Sequence, residues 1–208
     1  MSISQSKIVL LNLMELCAAL FRGPDERGWR ELATHGLPEL LGRVQDFPAF
    51  PAAPLKALRD GLAPYVETED FSPLEAEYVR LFIAGPGGVP APLYESCHQA
   101  DAPRTMGQSA LAMRDRLTEA GLEISLDSNE PPDHLALELE YLFHLCAEGW
   151  TNDPALADKA ILFAAKDMTP WVARFREALA GAAPDPVYLA GADTTLTLLS
   201  KLGSLSSD

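Results

Sequence analysis

The stretch that decides the fold is EPPDHL at residues 130–135, which runs directly into an apolar, acid-studded segment over residues 136–149. Two consecutive prolines end the preceding element, because each proline fixes φ and lacks an N–H group. Asp133 can then offer a side-chain acceptor and a negative charge to the free N–H groups of a new helix. The pattern predicts a helix over residues 133–148 that Asp133 caps. His134 lies at the N-terminus of this helix, where small changes in environment can move the pKa of a histidine across neutral pH.

The rest of the chain shows the same helical pattern, punctuated by proline and glycine, without a convincing run of alternating strand residues. Further helices are predicted over residues 6–21, 29–34, 38–44, 55–62, 72–84, 106–120, 154–167, 170–180 and 186–202. The last three each begin with Asp-Pro or Thr-Pro, a cap followed by proline at the first helical position. Ser72-Pro73-Leu74-Glu75 reads as a capping box with Ser72 as the N-cap. The fold class is therefore all-α.

Length and composition set the broad class of the protein. The 208 residues are enough for one substantial core. No run of about 18 apolar residues is present, so no membrane-inserted segment is expected. The apolar N-terminal run is interrupted by Asn12 and Glu15, and Lys7 is the single basic residue before it. A signal peptide has a more basic start and an uninterrupted apolar region. A cytoplasmic location is the resulting expectation, and the widely spaced Cys17, Cys97 and Cys146 suit a reducing compartment.

The charge of the chain limits its partners. A formal net charge of −14 argues against nucleic acid as a partner, because phosphate binding depends on lysine and arginine. The same charge suits a cationic partner, although it also simply keeps a protein soluble.

No complete catalytic or metal-binding pattern survives a test of spacing. The Glu-x-x-His motifs of di-iron bundles are absent, and Glu140 with His144 is more simply a pair on a helix surface. Residues 85–88, GPGG, lack the Gly-Lys-Ser/Thr ending of a phosphate loop. Cys97 and His98 are adjacent, and neighbouring side chains seldom converge on one substrate. We expect no metal, no cofactor and no enzymatic turnover.

Three segments resemble one known family, in the expected order. Residues 130–146, EPPDHLALELEYLFHLC, resemble the signature of the TorD/DmsD family of cytoplasmic redox-enzyme maturation chaperones. EYVRLF at residues 77–82, followed by GPGGVPAPLYES, and DMTPWVARF at residues 167–175 resemble the same family. The resemblance covers most of residues 70–202. The chain departs from the family at Cys97-His98, where a hydrophobic residue and tyrosine are common.

The resemblance implies a chaperone for the precursor of a molybdopterin oxidoreductase. Such a chaperone holds the enzyme's twin-arginine leader, blocks early export and favours cofactor loading before release. Carboxylates would grip the guanidinium pair beside a groove for the apolar part of the leader. By resemblance, the client-binding residues are Tyr78, Leu81, Phe82, Tyr94, Glu95, Ser96, Pro132, Asp133 and His134.

The expected organisation is one domain over residues 1–208. Within it, an N-terminal helical subdomain over residues 1–120 and a C-terminal one over residues 133–208 flank a hinge at 121–132. The oligomeric state stays open between a monomer and a domain-swapped dimer. Two other functions stay open as well. One is a nitrate-reductase-type assembly chaperone for an enzyme that is not exported, and the other is a helical nucleotide-binding switch or enzyme.

Overall fold

The described part of the chain is helical throughout, apart from loops and one isolated backbone bridge. A computed structural model describes residues 3–47, 50–85, 87–99, 105–123 and 130–204. The all-α prediction is confirmed. Within these residues, no helix has both the length and the apolar character needed to cross a membrane. Half of the predicted hinge, residues 124–129, lies outside the described ranges.

The described residues form ten α-helices, and shorter turns extend several of them. The α-helices are α1 Gln5–Phe21, α2 Glu26–Glu31, α3 Leu37–Gln45, α4 Ala53–Thr68, α5 Ser72–Tyr78, α6 Gln108–Glu119, α7 Leu135–Thr151, α8 Pro154–Leu162, α9 Thr169–Gly181 and α10 Pro186–Gly203. Three π turns cover Leu32–Gly36, Val79–Ile83 and Phe163–Met168, and a 3₁₀ turn covers Glu95–His98.

Two helix breaks that the sequence predicts are absent, because a π turn bridges each of them. Leu32–Gly36 joins α2 to α3, and Phe163–Met168 joins α8 to α9 without interruption. Proline normally breaks a helix because its ring clashes with the carbonyl four residues earlier. The wider π turn moves that carbonyl away from the proline in the next turn. At the second joint, the Thr169 hydroxyl donates to the Ala164 carbonyl at 2.7 Å. The predicted break before Pro170 is therefore wrong.

Side-chain caps follow the predicted pattern at two of the helix starts. Asp153 accepts the Ala155 N–H at 3.1 Å, and Asp185 accepts the Val187 N–H at 2.9 Å. The predicted cap at Ser72 is wrong. Ser72 is the first residue of α5, and its own N–H donates to Asp70 at 3.0 Å.

One continuous apolar core holds these helices together, and it takes residues from both predicted subdomains. Helix α10 packs on α4, α9 and α1, while α1 also packs on α7. Cys17 and Cys146 are buried free thiols, as predicted for core residues. Burial raises the pKa of each of these thiols to about 12, so both are protonated at neutral pH.

Candidate functional site

The loop segment 93–98 is fastened to the entrance of α7. Leu135 N–H donates to the Leu93 carbonyl at 2.8 Å, and Glu95 N–H donates to the Asp133 carbonyl at 3.0 Å. Between these bonds, Tyr94 and His134 form an isolated antiparallel bridge. Two of the three segments that carry the family resemblance therefore form one unit. We call residues 93–98 together with residues 131–135 the junction.

Asp133 fastens the junction from inside. Its side chain is completely buried, and one carboxylate oxygen accepts the Ser96 N–H at 2.8 Å. The prediction that Asp133 caps α7 is wrong, since the helix begins at Leu135 and His134 is the N-cap. The His134 Nδ1 atom accepts the Ala136 N–H at 3.1 Å. That role requires an unprotonated Nδ1, because an imidazolium has no acceptor.

The surroundings of His134 keep it neutral. Burial lowers the pKa of His134 to about 4, against a partly opposing effect of the Glu130 carboxylate. Its ring meets the Tyr94 ring edge to face, with centroids 5.3 Å apart. The Tyr94 hydroxyl in turn donates to Glu130 at 2.7 Å. His134 is thus a neutral helix cap at neutral pH, and the charge beside it belongs to Glu130.

Three carboxyl groups converge beneath the junction: Asp133, Glu95 and Glu138. Glu138 is fully buried on α7 and accepts the Trp171 indole N–H at 2.9 Å. Burial, and after it the neighbouring Glu95, raises the pKa of Glu138 well above its usual value. Burial and then the charge of Asp133 raise the pKa of Glu95 as well. Burial and the neighbouring carboxylates therefore favour the neutral form of Glu138.

Glu138 and Trp171 were not among the predicted site residues. The available signal was a glutamate inside the apolar run of α7 and a tryptophan on the third resembling segment. Among the described residues, no cluster of histidine, cysteine or carboxylate side chains has the geometry of a metal site. Within the cluster, the Asp133 carboxylate holds the 93–98 segment through the Ser96 N–H, and Glu138 binds Trp171 of α9.

Tyr78, Leu81 and Phe82 lie earlier on the same resembling segment as Tyr94, and two of them face the core. Leu81 and Phe82 are buried, and the Phe82 ring packs on the Tyr188 ring at 5.3 Å between centroids. Tyr78 is half-buried and donates its hydroxyl to the Phe21 carbonyl at 3.0 Å. It also lies within electrostatic range of Glu130 and Tyr94, which brings this segment close to the junction.

Exposure divides the predicted site residues into two groups. Tyr78, Tyr94, Glu95 and Pro132 are partly exposed. Leu81, Phe82, Ser96, Asp133 and His134 are buried. The buried group packs beneath the partly exposed one. Val79 and Ile83 were missed by the sequence reasoning. They are 47% and 51% exposed on the outer side of the second π turn, four residues apart.

Cys97 and His98 have structural roles. The His98 Nε2 atom lies 2.7 Å from the Pro92 carbonyl, and its ring stacks on Trp171 at 5.7 Å. Burial raises the pKa of Cys97 and lowers that of His98, which disfavours a thiolate–imidazolium pair. These residues pack the 93–98 segment against α9.

The described residues thus form an all-helical fold in which the junction ties two distant segments of the chain together. Residues 50–177 match the nitrate reductase delta subunit family, and the chain belongs to that family. It is 25% identical over 192 residues to the chaperone protein TorD of Shewanella piezotolerans, covering 88% of this chain and 86% of the relative. It is 31% identical over 134 residues to the Tat proofreading chaperone DmsD of Salmonella paratyphi A, covering 63% and 62% of the two chains.

A solved structure supports the fold. A redox enzyme maturation protein from Archaeoglobus fulgidus superposes with a TM-score of 0.57 at 21% identity, covering 91% of this chain and 93% of that one. The predicted membership of the TorD/DmsD-type maturation chaperones is confirmed, and the chain is a chaperone, not an enzyme.

Proposed function

We propose that this chaperone binds the twin-arginine leader of a molybdopterin oxidoreductase precursor in the cytoplasm. It holds the immature enzyme while the molybdenum cofactor is inserted, and it delays export until then. The observation that carries the proposal is the junction, where buried Asp133 fixes a loop that presents Tyr94 and Glu95. A relative that proofreads Tat substrates by name supports the same role.

The chemistry of the junction suits a cationic segment that continues into an apolar one. Carboxylates bind guanidinium groups bidentately, which a point-like ammonium cannot match. Glu95 and Glu130 lie at the junction, and the net charge of −14 draws a cationic leader toward the protein. Val79 and Ile83 add exposed apolar surface on the neighbouring segment.

The first test uses the protein in its native host, because the client is unknown. Co-purification followed by mass spectrometry should recover a molybdopterin oxidoreductase precursor that still carries its leader. Calorimetric titration with that leader as a synthetic peptide then measures affinity. Affinity should fall as salt rises, since exposed charges are screened over about 10 Å at 0.1 M ionic strength.

A matched peptide separates charge from shape. Replacing both leader arginines by lysine keeps the charge and removes the planar fork, so binding should weaken without vanishing. Affinity that is indifferent both to this replacement and to salt would show that the arginine pair is not recognised.

A nitrate-reductase-type assembly role is the second candidate, and the family description favours it. In that case the co-purified enzyme has no twin-arginine leader, and its mature N-terminus binds instead. The same co-purification therefore decides between the two candidates.

A further inference from the structure

A second recessed surface lies next to the junction. A groove of about 530 Å³ runs between α1, α2, the first π turn and α3, and we call it the α1–α3 groove. Leu16, Ala19, Leu32 and Leu40 are among the residues that line it. Its volume falls within the range of about 300–1,000 Å³ found for clefts that bind ligands.

Glycines are among the residues that line this groove. Gly36 lines it, and a Cβ atom built there would meet nothing within 4 Å. Gly23 lies at the other end with φ at +77°, and a Cβ atom there would come within 2.8 Å of the Tyr78 ring. Tyr78, a residue of the predicted client site, therefore lies directly against a glycine of the groove lining.

Arg22 connects the groove to the junction. It lines the groove, and it also lines a smaller hollow of about 340 Å³ that continues over Phe143 on α7. Its guanidinium forms an ion pair with Glu140 of α7. Arg22 also lies within electrostatic range of Tyr78 and His134. Through Arg22, the lining of the groove thus comes close to residues of the predicted client site.

The charge around this continuous surface is negative. The groove and the hollow together are lined by the glutamates Glu15, Glu31, Glu39 and Glu140 and by the arginines Arg22 and Arg43. Both arginines are already paired with glutamates, Arg43 with Glu39 at 2.5 Å and Arg22 with Glu140. Such a rim attracts a cationic peptide, and the leucines beneath it accept apolar side chains.

We propose that the α1–α3 groove receives the apolar stretch of the leader whose arginine pair binds at the junction. This inference rests on the function proposed above. It assigns the two chemically different parts of one peptide to two adjoining surfaces, with Arg22 and Tyr78 at the boundary. At the Arg22–Glu140 ion pair, a guanidinium group of the client can replace Arg22 as the partner of the Glu140 carboxylate.

A filled groove tests the assignment. Gly36→Phe places a ring in the open space at negative φ, whereas Gly42→Phe puts the same ring on α3 outside the groove. Glycine is the poorer helix former in both cases, so neither melting temperature should fall. The probe is a synthetic peptide with an Arg-Arg pair followed by about 12 apolar residues. Calorimetric affinity should drop roughly tenfold or more in Gly36→Phe and stay within about twofold in Gly42→Phe.

A shortened probe separates the two halves of the proposal. A peptide that keeps the arginine pair and loses the apolar stretch should bind wild type and Gly36→Phe equally. Glu31→Lys, on the exposed rim, is a second variant that leaves the core untouched and should weaken the long peptide by charge repulsion.

The failures are distinguishable. If wild type binds neither the long probe nor a native leader, the proposed function fails. If wild type binds the long probe and both Gly36→Phe and Glu31→Lys bind it equally well, the groove assignment alone is overturned. A change of oligomeric state in Gly36→Phe, measured by sedimentation with peptide affinity unchanged, would assign the groove to a second copy of the chain and also overturn it.

Discussion

Two regions of this molecule bury side chains of different chemistry. The contact of α1 with α9 and α10 is apolar, with Phe21 and Phe175 rings 5.5 Å apart. The junction buries Asp133, His134 and Glu138 instead. Apolar burial is favourable by about 25 cal/mol per Å², whereas a buried polar group costs free energy unless it is hydrogen-bonded. The helical core therefore supplies the stability. Burying polar groups at the junction costs part of that free energy, and it holds a loop in one position.

The largest expected effect lies in the core. Phe175 is fully buried among Phe21, Phe82, His98 and Trp171. Phe175→Ala removes these contacts and leaves a cavity, so the free energy of unfolding should fall by about 3–5 kcal/mol. Urea denaturation followed by circular dichroism measures it.

The neighbouring residue gives the control. Arg176 pairs with Asp193 at 2.8 Å, with side chains 35% and 38% exposed. Arg176→Gln should change stability by only about 0.2–1 kcal/mol, as exposed ion pairs do. Equal losses from both substitutions would contradict the view that apolar packing at α9 carries the stability.

A smaller effect is expected at the junction, where Asp133 holds the Ser96 N–H. Asp133→Ala leaves a buried donor without its acceptor, so unfolding free energy should fall by about 1–3 kcal/mol. Asp133→Asn keeps an acceptor and should lose less. Urea denaturation measures both.

Hydrogen exchange locates the loss. The Ser96 amide should lose protection in Asp133→Ala, while the amides at the start of α7 stay protected because His134 caps them. Loss of protection confined to the first turn of α7 would restore Asp133 to the role of helix cap.

The smallest effect is a change in how stability depends on pH. Below about pH 4.3, the ordinary pKa of glutamate, Glu138 is protonated in both the folded and the unfolded chain. Above it the unfolded chain ionises first, because burial raises the pKa of folded Glu138. The free energy of unfolding should therefore fall as pH rises from that value toward the folded pKa. Glu138→Gln cannot ionise, so its stability relative to wild type should increase between pH 5 and pH 8.

His134 provides a contrast of opposite sign. Its folded pKa of about 4 lies below the ordinary value. Its contribution is therefore present above about pH 6.5 and is lost as pH falls through the folded pKa. His134→Asn keeps a capping acceptor and removes that acid sensitivity. Denaturation curves for both variants across pH 4–8 that run parallel to wild type would refute this account of the junction.

The sequence predicted the helical class because local rules act within a few residues. Asp153 and Asp185 cap the helices that their Asp-Pro pairs indicated. The break at Thr169-Pro170 was wrong because a preceding π turn removes the clash, and its wide geometry has no clear sequence pattern.

The sequence indicated which segments meet at the junction, but it did not indicate the role of each side chain there. Asp133 looks like a helix cap until the Ser96 amide, 37 residues earlier in the chain, competes for its carboxylate. Glu138 looks like a surface glutamate until Trp171 donates to it across the core. Contacts between distant segments decide which side of a loop faces the partner, and a single sequence does not contain them.

The three π turns have a consequence for the history of the chain. Such a turn accommodates one more residue than an α-helical turn, and each residue of a helix adds about 100° of rotation. Such a turn can therefore absorb a single inserted residue while the flanking helices keep their packing. Among relatives, one-residue length differences should concentrate at Leu32–Gly36, Val79–Ile83 and Phe163–Met168. The first of these borders the α1–α3 groove, so such a difference would change the shape of a binding surface without disturbing the core.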